Sequence, residues 1–144
     1  MSLRENSKNS KSEINHQEVS LACSKQYQKN GSVDIQKCLK ILEDNFTYNS
    51  PNILLKEGNE QFWTPLMYCC FTEFYEGVKF LLSKGADPNL PGKDGKSCLI
   101  ISAIKGKMNI SELLVKKGAT IDYQDKQGKT ALMNACEKGS LDKI

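Results

Sequence analysis

The chain is poor in the residues that do chemistry. His16 is its one histidine, so a Ser/His/Asp or Cys/His catalytic set would have to be built on it. It stands next to a polar lead, ahead of any patterned segment, which makes it a helix-start residue and excludes nucleophilic catalysis with a histidine base. Arg4 is the one arginine among 20 basic residues. Bidentate reading of guanine or phosphate is arginine's role, so sequence-specific nucleic-acid binding is excluded. No block of five like charges occurs, and the net charge of +3 gives no basic tail to follow a phosphate backbone. No run of 18 apolar residues exists, so no transmembrane helix is expected, and Met1 to Ser12 lacks the apolar core of a secretory signal. There is no Cys-x-x-Cys and no Cys/His cluster, hence no expected metal, and no cofactor of any kind is expected. Gly92-Lys93-Asp94-Gly95-Lys96-Ser97 contains the tail of a phosphate-loop pattern. It lacks the first glycine and the preceding strand, and reads as a hairpin.

What the chain does have is an internal echo. Thr64-Pro65-Leu66 returns as Ser97-Cys98-Leu99 and as Thr130-Ala131-Leu132, each 33 residues after the last, and Gly85-Ala86 returns as Gly118-Ala119. A period of this length marks stacked helix–turn–helix units. The local grammar agrees. Thr64 can cap a helix through its hydroxyl, with Pro65 at the first helical position. A second helix, from about Tyr75 to Lys84, buries Val78, Leu81 and Leu82 and stops at Gly85. In the next unit Ser97 caps, Leu99 and Ala103 fill the inner helix, and Ile110, Leu113, Leu114 and Val115 line the outer one. Asp94-Gly95 and Gln127-Gly128 mark hairpins.

Upstream, residues 1–12 read as a disordered lead. Helical spacing runs from Ile14 towards Asn30-Gly31, with Gly31 as the stop. A second helix spans about Val33 to Asp44. This pair, 13–45, is expected to be a degenerate capping unit. It is joined by a connection, 46–58, to repeats at 59–91, 92–124 and a partial one at 125–144.

From Asn59 to Ile144 the chain resembles the ankyrin repeat family. Trp63-Thr64-Pro65-Leu66-Met67-Tyr68-Cys69-Cys70 and Leu81-Leu82-Ser83-Lys84-Gly85-Ala86-Asp87-Pro88-Asn89 follow that family's inner-helix and outer-helix blocks. The departures are specific. Met67, Ile100 and Met133 replace its helix-start histidine, Glu73 its turn glycine, and Gly92 its hairpin aspartate. Cys69, Cys70 and Cys136 fall in its small-residue columns and are expected to pack as reduced thiols. The third unit reaches Ile144 at the start of its outer helix, which leaves Leu132, Ala135 and Cys136 poorly covered. A longer working molecule, or a partner at that end, is expected.

The resemblance implies an all-α solenoid of stacked helix pairs with β-hairpin-like connecting loops, and a concave face built of inner helices and hairpin tips. On that face fall Glu60, Gln61, Trp63, Phe71, Lys93, Asp94, Lys96, Ile104, Lys105, Lys126, Gln127, Lys129 and Lys138. Phe71 and Ile104 share a column, Lys96 and Lys129 a second, and Lys105 and Lys138 a third. The face is expected to be apolar towards the N-terminus and basic towards the C-terminus, suited to another protein's acidic peptide with apolar anchors. The expected function is a non-catalytic interaction module or scaffold in the cytoplasm or another reducing compartment. The alternatives are the N-terminal segment of a larger enzyme, channel or effector, and a structural subunit of a large assembly. The lysine bias and 11 asparagines point to an AT-rich source, compatible with a host-directed effector or a cytoskeletal or ciliary component.

Overall fold

The computed structural model describes residues 13–55, 63–92 and 95–137; the lead at 1–12 and the onset of the third outer helix lie outside them. Among the described residues seven helices follow one another: α1 (His16–Cys23), α2 (Ile35–Phe46), α3 (Pro65–Phe71), α4 (Tyr75–Ser83), α5 (Cys98–Lys105), α6 (Met108–Lys116) and α7 (Ala131–Glu137). A two-stranded hairpin, β1 (Gln28–Lys29) and β2 (Ser32–Val33), separates α1 from α2. Inner helices α1, α3, α5 and α7 stack on one another. Outer helices α2, α4 and α6 form a second layer behind them. The fold is the expected stack of helix pairs.

The inner helices begin as their sequences require. The hydroxyls of Thr64, Ser97 and Thr130 accept from the N–H groups of Met67 (3.2 Å), Ile100 (3.3 Å) and Met133 (3.3 Å). Pro65 occupies the first turn of α3, where its missing N–H leaves no bond unmade. Asn15 and Asp34 do the same service for α1 and α2, accepting from Glu18 and Lys37 N–H at 3.0 Å each.

The inner helices α1, α3 and α5 each end in a left-handed residue: Lys25 (φ 57), Glu73 (φ 61) and Gly106 (φ 73). Only Gly106 is free of the Cβ penalty at such a turn. The residue after each donates its N–H back into the helix: Gln26 to Leu21 O (2.9 Å), Phe74 to Cys69 O (2.8 Å) and Lys107 to Ser102 O (3.2 Å). The same bonding therefore recurs in all three units, although one has a lysine and one a glutamate at the turn. Gly85 (φ 91) and Gly118 (φ 98) close the outer helices α4 and α6.

Two expectations for the N-terminal part are corrected. The first helix does not run to Gly31; it ends at Cys23, and Asn30 (φ 56) and Gly31 (φ 82) form the tip of the β1–β2 hairpin, with Gln28 opposite Val33 and Lys29 opposite Ser32. Two consecutive positive φ values are what a two-residue hairpin turn needs, and Asn-Gly supplies them. Asp34 then caps α2, so that helix starts at Ile35 rather than Val33.

The segment after α2 also does more than connect. Asn52 Oδ1 accepts from Asp87 N–H (2.7 Å) and its Nδ2 donates to Gly85 O (3.1 Å). Asn89 makes the same pair one unit later, to Thr120 N–H (2.7 Å) and Gly118 O (3.0 Å). The N–H groups of Leu55, Gly92 and Asp125 donate to Trp63 O (2.8 Å), Lys96 O (3.1 Å) and Lys129 O (2.9 Å). Asn52 to Trp63 thus repeats the bonding of Asn89 to Lys96. Leu55 and Trp63 are eight positions apart where Gly92 and Lys96 are four. The difference of four hides the match from a search at a fixed period.

The core runs unbroken from Val19 through Leu42, Leu66, Leu81, Ile100 and Leu114 to Ala135. Five of the six cysteines are buried in it and all six are free thiols. A hydrogen bond to Cys70, with burial, pushes the Cys98 thiol well up; burial first, then a hydrogen bond to Cys23, does the same for Cys69. The Cys69 and Cys98 thiols stay protonated, and the buried Cys69 and Cys70 side chains pack as small apolar groups, as expected. Cys136 is the exception and is exposed, as is Leu132. Ala135, expected to be poorly covered, is buried because it faces α5.

Candidate protein-binding surface

Trp63 directly precedes the Thr64 cap of α3 and is held by a backbone bridge to Leu55. Its ring meets Tyr68 and Phe71 edge-on, with centroids 5.3 Å away in both cases and interplanar angles of 62° and 64°. Edge-to-face contacts of this kind add to the burial energy of the rings. The three side chains do not form core: Trp63 and Tyr68 are half-buried and Phe71 is 46% exposed.

Lys105, one unit further on, places its ammonium 4.7 Å from the Phe71 ring centre. A cation at that distance is attracted by the electron-rich ring face. The Phe71 column continues in Ile104, which is half-buried against the core. Trp63, Phe71, Ile104 and Lys105 are thus brought to one surface, together with Tyr68, which sequence reasoning did not single out. Its place three residues before Phe71 on a helix was the available signal.

The lysine columns are less uniform than their sequence spacing. Lys96 is half-buried, and its charge helps to hold Asp125 ionised. Lys126 is exposed, and its side chain lies so close over Gly95 that a Cβ built there would sit 2.6 Å from the lysine Cγ. Lys129 is ion-paired with Glu137. Gln127 is exposed, its N–H donating to the Asp125 carboxylate (2.9 Å). Glu60, Gln61, Lys93, Asp94 and Lys138 lie outside the described residues.

Asp125 shows what Gly92 lacks. Its Oδ1 accepts from Gln127 and Lys129 N–H (2.9 Å each) and its Oδ2 from Asn134 Nδ2 (3.4 Å). The Lys129 hydrogen bond is the main cause that holds this carboxyl below the usual range, with Gln127, Asn134 and the Lys96 charge adding to it against the effect of burial. Adjacent units are also tied by Lys107 to Glu73 (3.3 Å) and by the Thr72 hydroxyl to Cys23 O (2.7 Å).

Comparison with known proteins agrees with this architecture. A family model described as "Ankyrin repeat" matches residues 61–93, and one described as "Ankyrin repeats (3 copies)" matches 85–144. The chain belongs to the ankyrin repeat family. It is 30% identical over 102 residues to a putative ankyrin repeat protein, L86, of Acanthamoeba polyphaga mimivirus, covering 59% of this chain and 17% of that protein. It is 32% identical over 83 residues to the ankyrin repeat domain-containing protein M-T5 of Myxoma virus, covering 58% and 16%. It is 38% identical over 81 residues to the NAD-capped RNA hydrolase NUDT12 of Homo sapiens, covering 56% and 16%. The chain therefore spans a small part of the length of these relatives. Ankyrin repeats generally bind proteins, and among the described residues no helix is long and apolar enough to cross a membrane.

Proposed function

We propose that this ankyrin array is a non-catalytic interaction module whose concave face holds an acidic segment of another protein. The observation that carries this is the Trp63–Tyr68–Phe71 cluster. Tyr68 and Phe71 each packed edge-on with Trp63, and Phe71 close to half exposed, form a preorganised anchor of the kind that dominates protein interfaces. Lys105 on the Phe71 ring, with the exposed Lys126 in the following unit, supplies the opposite charge for an acidic partner. Five buried cysteines, used for packing as thiols, support a reducing intracellular compartment. The test is a pull-down from the native source with the wild-type chain and with Phe71→Ala. Truncating an interface anchor costs about 2 kcal/mol, so roughly thirtyfold weaker capture is expected, with far-UV circular dichroism unchanged. Equal capture by both proteins would reject the assignment.

A second reading is favoured by one observation. The relatives compared above are several times longer than the matched region, which covers 17% and 16% of the first two. In this reading the array is a recognition segment of a larger enzyme, channel or effector, and the same face selects what that protein acts on.

A further inference from the structure

We infer that the Asn30-Gly31 turn is a self-modification site, where the Asn30 side-chain amide is lost as ammonia and the main chain is rerouted through an isoaspartyl link.

The chemistry needs no reactant beyond water. The Gly31 backbone nitrogen attacks Asn30 Cγ, gives up its proton to water and expels ammonia, which closes a succinimide ring. Water then opens either carbonyl of that ring. Breaking the original peptide bond leaves isoaspartate, with the chain continuing through Cβ and Cγ. Breaking the new bond leaves aspartate. Nothing is oxidised or reduced. A Cβ on the following residue crowds the attacking nitrogen, so glycine is the most permissive neighbour. Asn30 is the one asparagine of 11 that precedes a glycine.

The structure adds access. Residues 28–33 are all exposed, and a Cβ built on Gly31 would meet nothing within 4 Å, so no packed group shields the turn. Asn49, which precedes a serine, is the natural contrast: its Nδ2 donates to Asn45 O (2.8 Å). The turn holds Asn30 at φ 56 and Gly31 at φ 82, and it must open for the Gly31 nitrogen to swing onto Cγ. The hairpin is only two residue pairs long, and hairpins that short open readily.

The product changes the hairpin and little else. An isoaspartyl link lengthens the turn by one atom and sets a carboxylate beside Lys29. Two consecutive positive φ values no longer close it, so the pairings of Gln28 with Val33 and Lys29 with Ser32 are lost. The change stops at the hairpin base. There Asp34 N–H donates to Tyr27 O (2.8 Å), and the Lys37 ammonium lies 4.4 Å from the Tyr27 ring centre. Asp34 goes on capping α2. The site records the age of the chain in the first unit without loosening the stack.

The 144-residue chain is incubated in mildly alkaline buffer, and samples are cut by a glutamyl endopeptidase in mild acid. Asn30 then lies in the peptide 19–43 and Asn49 in 44–57. Mass spectrometry follows each amide-to-acid conversion. An isoaspartyl methyltransferase with labelled S-adenosylmethionine reports the rerouted link. Asn30 should convert roughly tenfold faster than Asn49, whose hydrogen bond must break first, with isoaspartate as the larger product. The folded chain should convert Asn30 within about tenfold of the rate in concentrated urea. Gly31→Ala should slow the reaction. Because alanine strains that left-handed position, Asn30→Gln serves as the second variant and should leave 19–43 without isoaspartate. On conversion the Lys29 and Ser32 amide resonances should move while the urea midpoint stays. Equal rates for Asn30 and Asn49, or aspartate formed without isoaspartate, overturn the site. Protection beyond about a hundredfold in the folded chain overturns it as well, because the turn would then hold the reaction shut. A lowered urea midpoint on conversion overturns the claim that the change ends at the hairpin base.

Discussion

The N-terminal unit and the repeats that follow it build the same object from different letters. In the units from Trp63 onwards, a hydroxyl residue two places before a leucine (Thr64, Ser97, Thr130) and Gly-Ala return at a constant interval. From Asn15 to Leu55 almost none of these are present. Yet Lys25 takes the left-handed turn of Glu73 and Gly106, Asn52 bridges to Gly85 and Asp87 as Asn89 bridges to Gly118 and Thr120, and Leu55 pairs with Trp63 as Gly92 does with Lys96. What is repeated is a set of backbone bonds at fixed places in a unit. Any residue that can satisfy them will serve, and insertions are absorbed where no such bond falls. The β1–β2 hairpin and the longer first finger are two such insertions.

The most severe way to break this equivalence is at Gly77, where the first regular unit closes its inner helix on its outer one. A Cβ there would lie 2.6 Å from Phe74 Cδ2 and 2.8 Å from Cys69 Sγ. The second unit has Ile110 at that place and closes with a buried Ser102–Ser111 hydroxyl pair (2.8 Å). Gly77→Val should therefore cost about 3 kcal/mol in urea unfolding. If the stack is one cooperative body, the N-terminal unit will melt with it; a separate, unshifted transition for 16–46 would show two independent parts.

Next in size are the bridging asparagines. Asn52→Ala and Asn89→Ala each remove two hydrogen bonds between units at exposed sites, and each should cost roughly 1–2 kcal/mol. Similar losses would establish that the N-terminal unit is joined as firmly as the regular ones. A negligible loss for Asn52 alone would separate them.

The two later fingers offer a finer contrast. Asp125→Ala should cost about 1 kcal/mol at neutral pH, because the carboxylate organises the third finger while Gly92 leaves the second to backbone bonds. The folded protein holds this carboxyl below its unfolded value, so its contribution is present above about pH 4 and is lost as pH falls through the lower folded value. Stability curves of wild type and Asp125→Ala should converge in acid. Parallel curves down to pH 2 would rule out the carboxylate as the cause.

The smallest expected effect is a gain. Glu73→Gly relieves a left-handed glutamate but gives up the half-exposed ion pair with Lys107, for a net increase of up to about 1 kcal/mol. Gly106→Ala, at the matching turn, should lose a similar amount. A loss for Glu73→Gly would mean that the link to Lys107 outweighs the strain.

Most of the fold was legible where polar and apolar residues recur at the interval of the units: the helix starts at Thr64, Ser97 and Thr130, the stops at Gly85 and Gly118, and the thiols packed in small-residue columns. The N-terminal part was read less well. Asn30-Gly31 carries two signals, a helix stop and a hairpin turn, and only the partner strand decides between them. Asn52 was hidden by the four extra residues before Trp63. At the candidate surface, spacing brought Trp63, Phe71, Ile104 and Lys105 together and passed over Tyr68. It also treated Lys96 and Lys129 as equals.

The sequence by itself determined the unit, its period and the side chains that cap and fill it, because these depend on residues within one turn or one face of a helix. Tertiary structure alone decided which exposed groups meet across units. Lys105 reaches the ring of Phe71, Lys129 is taken by Glu137 and Lys126 folds over Gly95 because stacking brings distant positions within a side chain's length. Those contacts distinguish lysines that the repeat made look alike.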